Sequence, residues 1–304
     1  MIVYTLLIIT LLFAGLCIWV LRKYANGKIT YSYPSYLLAI AMAIFIYLFG
    51  TWVFLSVYLK YIFILTFAIK LVYQLVYKSN DEQGKRSFIT TGVMHTVTLL
   101  FISLTILYFT GTLRKPYSKI NLALPFRHGN YFVFQGGKGL PTNLFHYNIR
   151  GTILAMDIVK LNKYGNRANS IFSKKLTDYE IFNDTLYSPC DGIIAKTQNN
   201  NPDNIPPNHK RGPTNTNQVL INGGDFYVFM AHLKFGSVFV HEGQTVFTGQ
   251  PLGLAGNSGF SLEPHLHIQA QVNTHKNIPW YKENPLQIEF NGKFYSLFDE
   301  IKAK

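Results

Sequence analysis

The chain opens on apolar runs that are too long and too uniform for a globular core. Residues 1–21 carry no charge, enough to cross a hydrocarbon layer of about 30 Å as a helix. Residues 29–59 are again uncharged and hold a second span, placed at 34–58. A last span, at 89–112, is rich in Thr and Leu, and its one histidine, His95, is accommodated among those threonines. The segment between them, 61–77, is different. Thr66, Lys70, Gln74 and Lys78 recur every four residues, one stripe along one helix face. A Lys near mid-span costs about 2.5–3.5 kcal/mol on insertion scales. Either the stripe faces neighbouring helices in a fourth span, which is the reading adopted here, or the helix lies flat at the interface.

From residue 128 the pattern changes to short β-type runs cut by Gly, Asn and Pro. The predicted strands are 131–135, 153–159, 192–196, 219–222, 226–230, 238–241 and 266–272. Gly223-Gly224 and Asn291-Gly292 are hairpin turns by composition. Residues 198–217 hold seven Asn and four Pro and read as a long surface loop, of a length that is uncommon unless it serves a site or is disordered. The expected architecture is thus an α-helical transmembrane region, 1–112, followed by a mainly-β domain, 113–304. The closest class for the latter is a small antiparallel β-sandwich or barrel.

Charge sharpens this division. Residues 1–112 contain eight Lys/Arg and two Asp/Glu, and 113–304 contain twenty and thirteen, so the parts carry +6 and +7 (8 − 2 and 20 − 13). Positive residues cluster at Arg22-Lys23-Lys28 and Lys78-Lys85-Arg86. Placing both clusters in the cytoplasm requires four spans, a tight turn near Lys60 and an outside N-terminus. Four spans make the chain a multi-pass protein of the cell membrane and deliver 113–304 to the extracytoplasmic side, with Arg114 and Lys115 outside against the rule. Three spans would leave that domain in the cytoplasm. A basic outer domain favours anionic surfaces such as cell-wall polymers or lipid headgroups, or is simply well solvated. No basic run with interleaved aromatics argues for nucleic acid. The two cysteines, Cys17 in an apolar run and Cys190 far away, form neither a disulfide framework nor a metal motif.

The chemistry concentrates in Glu263-Pro264-His265-Leu266-His267-Ile268-Gln269. In a strand, residues i and i+2 share a face, so His265 and His267 project together. Upstream stand Ala231-His232-Leu233 and a glycine-rich stretch through Gly249-Gln250, Gly253 and Gly256-Asn257-Ser258-Gly259, suited to tight turns that bring the His232 and His265 strands onto one sheet. This block, with Ser188-Pro189-Cys190-Asp191-Gly192 before it, resembles the LytM/lysostaphin-like zinc endopeptidases of bacterial cell walls. The resemblance covers roughly residues 131–272 and does not extend to 1–112. It implies a β-domain of the LytM (duplicated hybrid motif) type.

The family's other two ligands are a His and an Asp, usually spaced His-x3-Asp. Here ten residues lie between His146 and Asp157, which looks like a variant with an insertion. Asp157 lies in the apolar run 153–159, where an unpaired carboxylate is costly and a nearby cation removes that cost. The resemblance implies that His146, Asp157 and His267 bind Zn2+ and leave a position for water, while His232 and His265 act as proton-transfer and oxyanion groups. His95, His128, His209, His241 and His275 match no motif position. The implied function is a membrane-anchored zinc endopeptidase acting on peptidoglycan cross-links or a related wall peptide. The alternative is a non-catalytic LytM-type module regulating other wall hydrolases; the presence of all five motif residues favours the enzyme. A membrane sensor with a structural zinc site would need a fourth protein ligand, for which the sequence offers no obvious Cys or His.

Overall fold

Among the described residues, four helices build the N-terminal part: α1 (Ile2–Val20), α2 (Tyr33–Phe49), α3 (Leu59–Val76) and α4 (Phe88–Thr110). They belong to a computed structural model that describes residues 2–21, 33–76, 88–112, 117–147, 151–209, 215–274 and 278–304. Its two compact units are Met1–Thr110 and Gly111–Lys304. By length and composition α3 and α4 suffice to cross a bilayer, and the apolar stretches Thr5–Val20 and Tyr33–Phe49 are shorter.

The second predicted span does not run to residue 58, because α2 stops at Phe49. Gly50 N and Trp52 Nε1 both donate to Ile46 O, at 2.9 and 3.0 Å, so the indole folds back over the helix end. A Cβ on Gly50 would stand 2.4 Å from that indole nitrogen, which is why a glycine is needed there. A single 3₁₀ turn, Trp52–Phe54, follows, and the reversal falls between Gly50 and Tyr58 instead of at Lys60. Thr51 is tied to α1 through its hydroxyl, 3.0 Å from Thr10 Oγ1, so two buried polar groups satisfy each other inside an apolar bundle. In α3 the buried residues are Phe63 and Phe67. Lys70 and Gln74 continue that packed face half-buried, while Thr66 is exposed, so only part of the predicted polar stripe turns inward. The basic residues Arg22, Lys23, Lys28, Lys78, Lys85, Arg86, Arg114 and Lys115 lie outside the described residues.

Among the described residues, thirteen strands form the second unit. They are β1 (Lys119–Leu122), β2 (Gly129–Gln135), β3 (Met156–Leu161), β4 (Thr185–Tyr187), β5 (Gly192–Gln198), β6 (Gln218–Asn222) and β7 (Phe226–Ala231), then β8 (Thr245–Val246), β9 (Pro251–Leu254), β10 (Leu266–Val272), β11 (Pro285–Phe290), β12 (Lys293–Phe294) and β13 (Glu300–Ala303). Eleven join in one sheet whose main path runs β13-β2-β3-β10-β7-β6-β5-β8, and β4 and β9 pair separately. The pairing is antiparallel except for β1 with β11, so the mainly-β, mainly antiparallel expectation stands, with one large sheet and a ribbon as its form. Both expected hairpin turns are present, Gly223-Gly224 between β6 and β7 and Asn291-Gly292 between β11 and β12.

Alternation decides the two faces. Leu266, Ile268 and Ala270 of β10 enter the core with Val228 and Met230 of β7, Met156 and Ile158 of β3, and Tyr131 and Val133 of β2. His267, Gln269 and Gln271 therefore point to the opposite face. Two expected strands differ. The run 153–159 pairs only from Met156, because Ile153 and Ala155 spend their carbonyls on a side chain described below. Residues 238–241 form no strand: Phe239 N bonds Leu252 O, and the pairing to β5 is made by β8 instead.

Ile158, fully buried at the centre of the sheet, provides the test of this core. Ile158→Ala is expected to destabilise the β-unit by about 2–5 kcal/mol, the range for opening a cavity of that size. Ile193→Ala, at a half-exposed position in β5, should stay within about 0.5 kcal/mol of wild type. Urea unfolding of the detergent-solubilised chain measures both; equal effects would mean that the assignment of inner and outer faces is wrong.

Candidate metal centre

The site is laid out by strand register. Reading across the sheet, Gln135, Asp157, His267, Ala231 and Gln218 are paired in sequence on neighbouring strands β2, β3, β10, β7 and β6. Neighbouring strands lie about 4.8 Å apart, so Asp157 and His267 stand side by side on one face. His232 directly follows the end of β7 and His265 directly precedes β10, which places both at the same rim. His146 arrives on the turn 139–147 between β2 and β3.

His146, Asp157 and His267 are all buried, and their ligand atoms lie within 4.8 Å of one another. Asp157 is the hub. Its carboxylate oxygens stand 3.3 Å from His146 Nε2, 3.0 Å from His267 Nδ1 and 3.4 Å from His265 Nε2. His232 packs beside them, its ring 4.6 Å from that of His265 and 5.8 Å from that of His267. The structure thus brings together all five residues predicted from the sequence. His128, His209 and His241 are not members of the group, and His275 lies outside the described residues.

Each ring is held from behind by a group that fixes its tautomer. Ser258 O accepts from His232 Nδ1 at 2.8 Å, and Glu263 O accepts from His265 Nδ1 at 2.8 Å. A carbonyl only accepts, so in both rings Nδ1 carries the proton and Nε2 faces the site. His267 is turned the other way: Nε2 donates to Gln269 Oε1 at 2.9 Å, and Nδ1 faces Asp157. Backbone strain adds a further constraint at His232, whose φ of 65° lies in the left-handed region that a side-chain-bearing residue adopts only when its surroundings impose it. The surroundings here are the close approach of the 254–258 turn. Gly256 N bonds His232 O, and a Cβ on Gly256 would meet Lys234 Cα at 2.3 Å.

Burial alone would push the Asp157 carboxyl up, but the His146 and His265 imidazoles beside it override that and hold it well below the usual carboxylate range. Burial, with His265 and His267 as neighbours, holds the His232 imidazole well below the usual histidine range and keeps it neutral. His265 is pushed down by burial and pulled up more strongly by the Asp157 charge, so its protonated form is favoured. One side of the site is aromatic: Phe229, on the His267 face of β7, lies 6.0 Å from the His267 ring and stacks on Trp280 at 4.7 Å.

Several residues of the site were not predicted from the sequence. Gln269 had a signal, since it is two positions after His267 on the same strand face. Arg167 had none. It makes a bidentate ion pair with Glu263 at 2.7 and 2.8 Å, across 96 residues, and so steadies the backbone carbonyl that holds His265. The loop 198–217 also contributes structure: buried Asn204 donates to the carbonyls of Asn257, Gly259 and Ser261, and buried Asn217 donates to Leu233 O.

Comparison with known proteins bears on this arrangement. Lysostaphin from Staphylococcus simulans, a solved antimicrobial peptidase, is 18% identical, with 49% of this chain and 45% of that one covered and a TM-score of 0.29. An uncharacterized metalloprotease of Haemophilus influenzae is 24% identical over 178 residues, 54% of this chain and 33% of that protein. The peptidoglycan DD-endopeptidase ShyA of Vibrio cholerae is 32% identical over 87 residues, 29% of this chain and 17% of that protein. The chain therefore spans at most about a third of the curated relatives it matches. Residues 174–279 match Peptidase family M23, a stretch that holds His232, His265 and His267 and begins after His146 and Asp157. That match, with the motif residues within it, makes this stretch of the β-unit similar to Peptidase family M23.

Proposed function

We propose that this chain is a membrane-anchored zinc endopeptidase that hydrolyses peptide bonds in peptidoglycan cross-links. The observation that carries the reading is the convergence of His146, Asp157 and His267, with His232 and His265 beside them, from four separate stretches of chain. Two imidazoles and one carboxylate are a donor set that suits zinc and leaves a fourth position open. Their free lone pairs also converge, since the hydrogen bonds behind His146 and His267 leave Nε2 and Nδ1 respectively turned toward Asp157. Zinc held there supplies a Lewis acid for a peptide carbonyl and a water activated at neutral pH.

The remaining roles fall to the chain's own groups. His232, neutral and with an unprotonated Nε2, takes a proton from the attacking water and delivers it to the leaving amine. His265, with Nε2 facing the site, stands where its protonated ring would donate a hydrogen bond to the carbonyl oxygen as negative charge develops there. Phe229 and Trp280 form a wall against which an apolar part of the peptide packs. The peptidoglycan assignment draws on the named activity of ShyA and on the +7 charge (20 − 13) of residues 113–304, which suits an anionic wall polymer. In this reading residues 1–112 anchor the chain through four spans, and residues 113–304 form the metallopeptidase domain on the outer side.

The full chain purified in detergent without chelator should hold one zinc per molecule, and Asp157→Ala should lose it. Metal analysis decides this; zinc well below one equivalent in wild type, or unchanged in the variant, sinks the assignment.

Incubation with purified wall sacculi, followed by mass spectrometry of released fragments, tests the activity. His232→Ala should keep its zinc and lose about 10²–10⁴-fold in hydrolysis, the scale for removing a general acid–base group. His267→Ala should lose both metal and activity. Intact zinc with no fragments released by wild type would favour the regulatory module over the enzyme.

A cysteine placed in the loop 198–217 should react with a membrane-impermeant thiol reagent in cells whose inner membrane is intact. Labelling only after that membrane is broken would place the domain in the cytoplasm.

A further inference from the structure

The unusual feature of this site is its spacing: ten residues separate His146 from Asp157, and an insertion of that length does not by itself hold two ligands in register. We infer that Asn143 is a positioning residue that makes His146 a metal ligand; the inference rests on the metal site proposed above. Asn143 is fully buried. Its amide nitrogen donates to Ile153 O at 3.1 Å and to Ala155 O at 3.0 Å, so both amide protons are used. The amide cannot flip without turning its oxygen onto two carbonyl oxygens. Asn143 Oδ1 is thereby fixed as an acceptor, 2.8 Å from His146 Nδ1. An acceptor there requires the proton on Nδ1, which leaves the lone pair on Nε2, the nitrogen 3.3 Å from Asp157 Oδ2.

The same side chain joins the two ends of the insertion. Ile153 and Ala155 lie four and two residues before Asp157 on the segment entering β3, while Asn143 and His146 share one turn, with Asn143 N bonded to Gly139 O and Tyr147 N to Asn143 O. Thr152 adds a second tie, its hydroxyl donating to His146 O at 3.1 Å. Asn143 therefore sets the tautomer of one ligand and anchors it to the strand that carries the other. Neither task requires it to touch the metal.

The test is zinc affinity of the full chain in detergent, measured by competition with a chromophoric chelator, with zinc alone as the probe. Asn143→Ala should weaken binding about 10–100-fold, the usual cost of losing a partner that orients a ligand. In the His146→Ala background the same substitution should weaken it no further, since Asn143 acts through His146. Cobalt substitution gives an independent signature: the visible absorption of Asn143→Ala should resemble that of His146→Ala, not that of wild type. If Asn143→Ala does not fold, Asn143→Asp, which gives up both donors, decides by the same comparison: a loss of zinc affinity confined to the chain that retains His146 supports the inference, and no loss, or equal losses with and without His146, overturns it. Equal zinc affinity in wild type and Asn143→Ala, or equal losses in both backgrounds, overturns this inference alone. A wild-type chain that takes up no zinc overturns the metal site and this inference together.

Discussion

A carboxylate buried among imidazoles organises the β-unit. Asp157 is buried, and an unpaired charge in such a place would cost several kcal/mol. Three imidazole nitrogens stand within 3.4 Å of it, those of His146 and His267 with their lone pairs turned toward it, and the rings in turn are fixed from behind by Asn143, Gln269 and a backbone carbonyl. Because each outer nitrogen is committed, no ring can turn away without leaving a buried polar atom unpaired. The constraint thus propagates from one carboxylate to the loops that supply the second set of partners.

Those loops explain why a small domain carries so many buried amides. Asn204, Asn217, Asn257 and Ser258 are nearly or completely shielded from solvent, and their hydrogen bonds tie the 256–261 turn to the 198–217 loop and to Leu233 O. The result is a polar frame under His232 and His265 that an apolar core would not supply, since only directional bonds fix a carbonyl to within a few tenths of an ångström. The buried Arg167–Glu263 pair fits the same pattern. Such pairs contribute little net stability once desolvation is counted, and their use lies in defining one arrangement. Here that arrangement is the carbonyl of Glu263 under His265.

The helical unit solves a different problem by the same rule. Within an apolar bundle the end of α2 has no water to satisfy its last carbonyls, and the Trp52 indole folded back on Ile46 O, with Gly50 making room, meets that need. Thr10 and Thr51 pair for the same reason.

The sequence by itself determined what depends on local periodicity and residue type. Apolar runs marked the four helices, short β-type runs cut by Gly, Asn and Pro marked β2, β5, β6, β7 and β10, and the His265–His267 spacing put both rings on one face. Asp157 was legible as a charge in an apolar strand, and His146 through the resemblance. Other elements were decided by partners far along the chain. β1 and β11 pair in parallel across more than 160 residues, β8 displaces the expected strand at 238–241, and α2 ends early because a side chain six residues on caps it. The supporting set of the site was hidden for the same reason. Nothing in the spacing of Arg167 and Glu263 announces that they meet, and Asn143 gains its meaning only when the chain returns with the carbonyls of Ile153 and Ala155. Local pattern selects which residues face inward; the long-range pairing of strands and loops alone decides which polar groups face each other, and so which nitrogen of each histidine is free.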